Sequence, residues 1–336
     1  MSQSDLAVAV LGGGSFGTAL ANVVGLNGHS VRLWMRDANH AETCQQYRRN
    51  SRFFSDLILP DSVAFTSDLS ETLRAASLVI VALPSKSVRD IARQIAVDIE
   101  PGTIVVSGTK GVEPDTFELM SQVLRDELGV HARIGVLSGP NLATEIADGQ
   151  ITGSVVASPD QELCETVQSI FAGDNFRVYS NSDMLGVELA GTLKNIYAIF
   201  AGLAHGAGAG GNTFGMLITR SLAEMRRFAV AQGASLETFL GLSGVGDLIT
   251  TCTSPLSRNY QVGQALAKGM TREQAVEYVG QTAEGVNTVE VIWKQAQKLN
   301  VSMPLAEGLY RILYEGANWP AVVGELMRRE QRHEIG

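Results

Sequence analysis

Leu6-Ala7-Val8-Ala9-Val10-Leu11-Gly12-Gly13-Gly14-Ser15-Phe16-Gly17-Thr18-Ala19-Leu20-Ala21-Asn22-Val23-Val24 reads as strand, glycine turn and helix in direct succession. The glycines fall as G-x-G-x-x-G, a spacing that says little alone, because glycine-rich turns are common. A strand before it and a helix behind it make it a dinucleotide cradle. Gly12 allows the tight turn, Gly14 lets backbone approach a pyrophosphate, and Gly17 lets the helix pack on the strand. The helix then presents free N–H groups and the positive end of its dipole to the phosphates.

Outward from this turn, short β-rich runs alternate with helix-like segments, which predicts an α/β fold with a Rossmann-type doubly wound parallel sheet. The second strand is expected over Ser30 to Met35. Leu78 to Leu83 stops at Pro84-Ser85, Thr103 to Ser107 stops at Gly108, and Ile134 to Leu137 stops at Ser138-Gly139-Pro140. These are read as buried strands, and the residues just past them lie where open α/β sheets bind ligands. Runs near Gly153 to Ala157 and Phe176 to Tyr179 extend the sheet. Beyond about Gly186 helical spacing takes over, as in Leu217 to Ala231, Arg272 to Val279 and Thr288 to Leu299. Two domains are therefore expected: a dinucleotide-binding domain over residues 1–185 and an all-α C-terminal substrate and catalytic domain over 186–336. Ala204 to Gly211, rich in Ala and Gly, reads as a flexible connection between helices.

Bulk properties point to an enzyme rather than a scaffold. The 336 residues suffice for two domains, and a net charge of −9 provides no broad basic surface for nucleic acid. The three cysteines, Cys44, Cys164 and Cys252, are far apart and form no C-x-x-C pair, which suggests a reducing, cytoplasmic setting. No stretch has the length and flanks of a signal peptide or a membrane span, and no metal-ligand spacing occurs. His29, His40, His131 and His333 stand in polar, surface-like surroundings. His205 reads as a structural loop histidine.

The choice of dinucleotide is set at the end of the second strand, about twenty residues past the glycine turn. There Asp37 suits the ribose 2′-hydroxyl of NAD, whereas Arg36 suits a 2′-phosphate and favours NADP. The pair reads toward NADP with NAD tolerated.

Val187 to Phe200 is apolar on nearly every face and is expected to be a central, buried helix. Lys194 lies in its middle, between Ala190, Gly191, Tyr197 and Ala198, small on most sides. Burial of an ammonium lowers its pKa toward the range where it exchanges protons near neutrality, so Lys194 is a catalytic candidate. Further on, Gly244-Val245-Gly246-Asp247 offers a carboxylate that can pair with such a cation. Ser257-Arg258-Asn259 combines a guanidinium fork with neutral hydrogen-bonding groups, a mixture suited to one phosphate. A capped helix N-terminus has a similar composition.

Taken in order, these pieces resemble the cytosolic NAD(P)-dependent glycerol-3-phosphate dehydrogenases, most closely the bacterial biosynthetic type. The resemblance covers almost the whole chain. It rests on Gly12 to Ala19, Thr109-Lys110-Gly111, Ser138-Gly139-Pro140-Asn141, Gly191-Thr192-Leu193-Lys194-Asn195, Gly244 to Leu248 with Thr251-Cys252-Thr253 and Ser257-Arg258-Asn259, and Ala283-Glu284-Gly285. It implies reversible hydride transfer between NADPH, or NADH, and dihydroxyacetone phosphate, giving sn-glycerol 3-phosphate for phospholipid synthesis. In that scheme Lys194 exchanges the proton at the C2 oxygen, Lys110 polarises the carbonyl, and Asp247 orients Lys194. Gly139, Asn141, Asn195, Thr251, Ser257, Arg258 and Asn259 would complete the substrate site. Ser15, Phe16, Arg36, Lys110, Ala143, Arg258, Thr282 and Glu284 would contact the dinucleotide beside Gly12, Gly14 and Gly17. Asn141-Leu142 and Thr282 depart from the family pattern. So does Arg48 to Pro60, to which no role is assigned.

The resemblance also leans toward a homodimer. Two other readings fit parts of the chain. One is a two-domain dehydrogenase of the β-hydroxyacid or 6-phosphogluconate type, which also pairs a Rossmann domain with a buried lysine. The other is a non-catalytic dinucleotide-sensing module. The phosphate-suited Ser257-Arg258-Asn259 argues against the first, and the buried Lys194 against the second.

Overall fold

The computed structural model describes residues 6–280 and 283–330. In chain order its sheet half comprises β1 (Ala7–Leu11), α1 (Ser15–Leu26), β2 (Ser30–Trp34), α2 (Ala38–Tyr47), β3 (Val63–Thr66), α3 (Leu69–Leu73), β4 (Leu78–Val81), α4 (Ser85–Ile95), β5 (Thr103–Ser107), α5 (Met120–Leu128), β6 (Ala132–Ser138), α6 (Ala143–Ala147), β7 (Thr152–Ala157), α7 (Gln161–Phe171) and β8 (Phe176–Asn181). The helical half follows with α8 (Met184–Gly206), α9 (Gly211–Val230), α10 (Asp247–Thr253), α11 (Arg258–Ala267), α12 (Arg272–Val279), α13 (Glu284–Lys298), α14 (Pro304–Tyr314) and α15 (Trp319–Met327).

Among the described residues, one sheet has the order β3-β2-β1-β4-β5-β6-β7-β8. The chain leaves β1 toward β2 and β3, then returns to build outward from β4, so the switch point lies between β1 and β4, where a doubly wound sheet binds its ligand. The expected strands are all present, and β4 and β5 are buried at every position, as parallel strands covered on both faces must be. Two features depart from the sequence reading. The short edge strand β3 was not anticipated. The sheet is also not uniformly parallel, because β7 runs antiparallel to β6 while β8 is parallel to β7. The link from Gly139 to Ile151 holds only the five-residue α6, too little helix to carry the chain back across the sheet for a parallel return.

Apolar residues on the two faces of the sheet form separate cores, one centred on Leu20, Leu33 and Ile80, the other on Leu11, Val79 and Met120. A third core fills the helical half around α8, whose residues from Gly186 to Ala204 are all buried. Helix α11 lies against α8 at backbone distance. A Cβ added at Gly202 would sit 1.9 Å from the Tyr260 carbonyl oxygen, and one added at Gly263 would sit 1.9 Å from the Ile199 carbonyl oxygen. This packing brings the start of α11, with Arg258 and Asn259, beside the middle of α8. His29, expected at the surface, is instead 3% exposed, and Cys44, Cys164 and Cys252 are buried and free.

Candidate functional site

The glycine turn has the geometry its spacing predicts. Gly12 adopts φ +123°, and a Cβ there would lie 2.4 Å from the Ala82 carbonyl oxygen at the end of β4. A Cβ at Gly17 would lie 2.0 Å from the Gly12 carbonyl oxygen, so α1 can approach the turn only without one. Gly14 faces open space and begins α1 with no side-chain cap, leaving the helix's first N–H groups for an anionic ligand. These features fit a dinucleotide pyrophosphate. The turn opens onto a cavity of about 720 Å³ that runs from Gly14, Ser15 and Phe16 to Lys194, Asn195 and Arg258.

At the far end, the carboxylate of Asp247, 0% exposed, is shared between two lysines. Lys194 Nζ donates to Asp247 Oδ1 at 2.5 Å and to Thr251 Oγ1 at 2.6 Å. Lys110 Nζ donates to Asp247 Oδ2 at 2.8 Å and to the Gly139 carbonyl at 3.0 Å. Lys110 stands just beyond β5, Gly139 just beyond β6, Lys194 in the middle of α8, and Asp247 opens α10, so four elements fix the cluster. Burial pushes the Lys194 ammonium down to about 8, and the nearby Lys110 charge adds to the fall, while Asp247 opposes it. Thr251 Oγ1 donates to the Asp247 carbonyl at 2.7 Å, one turn back along α10. The result is a buried ammonium held at a cavity wall and poised to titrate near physiological pH.

Asn195, next to Lys194, accepts a hydrogen bond from Asn259 Nδ2 at 3.0 Å, and Asn259 Oδ1 accepts from the Gly285 N–H at 3.0 Å. Ser257 caps α11 by accepting from the Tyr260 N–H, so it is both a helix cap and a cavity residue. Arg258, the first residue of that helix, lines the cavity, and burial lowers its pKa from the usual arginine value. Glu284 reaches across to the sheet half, where it accepts from the Ser85 N–H at 3.1 Å and from Ser85 Oγ at 2.7 Å. Its carboxylate thus caps α4 while lining the cavity.

Comparison with known proteins is unambiguous. A family model described as NAD-dependent glycerol-3-phosphate dehydrogenase N-terminus matches residues 7–164, and its C-terminus counterpart matches 183–324. A glycerol-3-phosphate dehydrogenase [NAD(P)+] of Pseudomonas fluorescens (strain SBW25) is 54% identical over 328 residues, 98% of this chain and 96% of that one. The chain belongs to the NAD-dependent glycerol-3-phosphate dehydrogenase family. A relative of the same name in Saccharophagus degradans is 51% identical over 333 residues, covering 99% of this chain and 93% of its own. The crystal structure of glycerol-3-phosphate dehydrogenase from Coxiella burnetii superposes with a TM-score of 0.93 at 36% identity, covering 97% of this chain and 99% of that one. Membership in this family sets aside the β-hydroxyacid and sensor readings.

Within this family member, most residues singled out from the sequence converge on one cavity. Ser15, Phe16, Lys110, Asn141, Ala143, Lys194, Asn195, Thr251, Ser257, Arg258, Asn259 and Glu284 line it. Gly139 and Asp247 are buried just behind, bonded to the lysines. Asn141 donates through Nδ2 to Ser154 Oγ at 2.9 Å, which leaves its buried Oδ1 as an acceptor without a protein partner. Arg36 is exposed beyond the end of β2. Asp37, about half exposed, caps α2 through the His40 N–H and pairs with Arg52 at 2.8 Å. Thr282 and the end of the charged tail, with His333, lie outside the described residues.

The segment left without a role supplies the residues that were missed. Asn50, 0% exposed, donates through Nδ2 to the Gly13 carbonyl at 2.9 Å and to Thr18 Oγ1 at 2.8 Å, while its Oδ1 lies 2.9 Å from His40 Nε2. Arg52 and Phe53 line the cavity beside the glycine turn. A polar residue in a polar loop carries no sequence signal for such a role; only the burial of Asn50 reveals it.

Proposed function

We propose that the protein catalyses the reversible NAD(P)H-dependent reduction of dihydroxyacetone phosphate to sn-glycerol 3-phosphate, the backbone unit of glycerophospholipids. The observation that carries this reading is the Lys194–Asp247–Lys110 cluster, standing in the same cavity as the dinucleotide turn and Arg258. When bound, the nicotinamide supplies a hydride to C2 of the ketone and takes it back in the reverse direction. Lys194 Nζ, hydrogen-bonded to Asp247 and Thr251, delivers a proton to the C2 oxygen as the C=O bond becomes an alcohol. Lys110 adds a second positive charge at the same carboxylate and stabilises the developing alkoxide. Burial eases the cycle, because a lysine lowered to about 8 gives up and regains its proton near neutrality.

The guanidinium of Arg258 pairs with the substrate phosphate, and Ser257, Asn259 and Asn195 fix the remainder. With a net charge of −9 the chain offers no broad basic surface, so the phosphate depends on placed side chains such as Arg258. Asn141, a cavity residue held by its Nδ2 bond to Ser154, adds a polar group on the substrate side. We assign the dinucleotide chiefly to residues 1–185 and the substrate chiefly to 186–336, with Lys110 and Asn141 reaching the substrate from the first and Arg258 and Glu284 the dinucleotide from the second, and place the enzyme in the cytoplasm as a homodimer. Among the described residues no helix is long and apolar enough to cross a membrane.

The test is NADPH oxidation at neutral pH with dihydroxyacetone phosphate against 2-keto and 3-keto acids. Turnover confined to the phosphorylated ketone is expected. Preference for a keto acid, or no turnover with dihydroxyacetone phosphate, refutes the assignment.

A further inference from the structure

In a doubly wound dinucleotide site the ribose 2′ position lies at the carboxyl end of the second strand, where an acidic residue accepts from a 2′-hydroxyl or an arginine receives a 2′-phosphate. Here that end carries Arg36 and Asp37, which point to opposite cofactors. The structure removes much of the ambiguity by bringing in a third charge from the loop after α2. Arg52 places its guanidinium 2.8 Å from Asp37 Oδ2, at the end of β2, and also lines the cavity next to Gly14, Ser15 and Phe16. Asp37 is engaged twice, by Arg52 through Oδ2 and by the His40 N–H through Oδ1.

The loop that carries Arg52 is tied to the cofactor turn itself. Asn50, two residues earlier, is fully buried and bonded to the Gly13 carbonyl and to Thr18 of α1. The Phe53 and Phe54 N–H groups return to the Asn50 carbonyl at 3.1 Å and 2.9 Å. Arg52 therefore belongs to a tight turn anchored on the glycine loop. Its side chain is 57% exposed, so the guanidinium can turn donors toward a ligand without leaving Asp37 unpaired.

We propose that Arg52 is a specificity-determining residue that receives the 2′-phosphate of NADP together with Arg36, and that Asp37 holds Arg52 in place instead of accepting from a ribose hydroxyl. Arg52 pairs with Asp37 and Arg36 stands exposed one residue before it, so the corner offers two cations to a dianionic 2′-phosphate against one carboxylate. A bare 2′-hydroxyl brings no charge to either guanidinium. This rests on the dehydrogenase reading only for the presence of a dinucleotide, and it is tested without substrate.

The experiment is calorimetric binding of 2′,5′-ADP and of 5′-ADP to the full chain, wild type, Arg52→Ala and Arg52→Lys. Loss of a charge-assisted guanidinium–phosphate pair is expected to weaken 2′,5′-ADP about tenfold or more in Arg52→Ala. 5′-ADP should stay within twofold, and Arg52→Lys should fall between, since it keeps the charge without the fork. In turnover, kcat/KM for NADPH should fall by a similar factor while that for NADH holds, leaving the KM for dihydroxyacetone phosphate unchanged. Equal weakening of both nucleotides would reduce Arg52 to a structural residue of the turn, and no weakening of either would remove it from the site; both results overturn the proposal. Absence of turnover in the wild type with unaltered nucleotide selectivity would instead count against the reaction alone.

Discussion

Lys194 has its chemistry decided by what surrounds a single nitrogen. Burial favours loss of its proton and Asp247 favours keeping it; burial, helped by the Lys110 charge, outweighs the carboxylate and leaves the ammonium at about 8. The reduction of ketone needs the protonated form. kcat/KM for dihydroxyacetone phosphate should therefore fall as pH rises through about 8, while kcat/KM for glycerol 3-phosphate oxidation rises through the same range. Profiles of both directions from pH 6 to 10 check the sign; parallel profiles would exclude Lys194 as the exchanging group. Arg258 acts on binding more than on chemistry. Arg258→Ala should raise the KM for dihydroxyacetone phosphate by about tenfold or more, the scale of one charge-assisted fork, as initial rates over a substrate series would show. Lys194 was legible because an ammonium in the middle of an apolar helix demands a reason. Asn50 was not, because a loop asparagine gives no sign of burial until the loop is folded against the glycine turn.

The elements show why some of the fold was legible and some was not. β1 and β4 are continuous apolar runs and β5 centres on Ile104-Val105-Val106, each followed within three residues by glycine or proline, so they declared themselves. β3 is four residues long with an exposed Ala64 between buried Val63 and Phe65, too brief for alternation to register. The reversal of β7 depends on how far α6 carries the chain, a length the hydrophobic pattern does not encode. Helices α8 and α11 owe their close approach to Gly202 and Gly263, which brings Lys194 and Arg258 onto one cavity. A methyl group at either glycine would meet a carbonyl oxygen at 1.9 Å, and the helices must then move apart. Gly202→Ala should cost about 1–3 kcal/mol or more of stability in urea unfolding and lower kcat as well. At the glycine turn, Asn50→Ala should raise the KM for NADPH and NADH together without changing that for dihydroxyacetone phosphate. This distinguishes a residue that shapes the cradle from Arg52, which discriminates between cofactors.

Across the whole molecule, the helical half fastens to the sheet half through buried and half-buried charges. Asp247 takes Lys110, Glu284 caps α4 through Ser85, and Glu188 of α8 caps α5 by accepting from the Ser121 N–H at 2.9 Å and Ser121 Oγ at 2.5 Å. Inside the helical half, Glu224 accepts from Tyr197 Oη and from the Leu305 and Ala306 N–H groups that open α14. Burial raises both Glu188 and Glu224 from 4.5 to about 7. A carboxyl raised on folding gives stability that is full below the unfolded value and lost as pH rises through the folded one. Melting temperature should therefore fall between pH 5 and 7.5 more steeply in the wild type than in the Glu188→Gln, Glu224→Gln double variant; equal slopes would show that neither group titrates there. These connections bring a cofactor turn from one half and a proton-bearing lysine from the other into one cavity. The sharpest measurement is NADPH oxidation with dihydroxyacetone phosphate by Lys194→Ala, with NADPH binding followed in parallel. Removal of the general acid should cut kcat by about 10²–10⁴-fold while NADPH affinity stays within threefold, and a variant that turns over within threefold of wild type would contradict the role of Lys194.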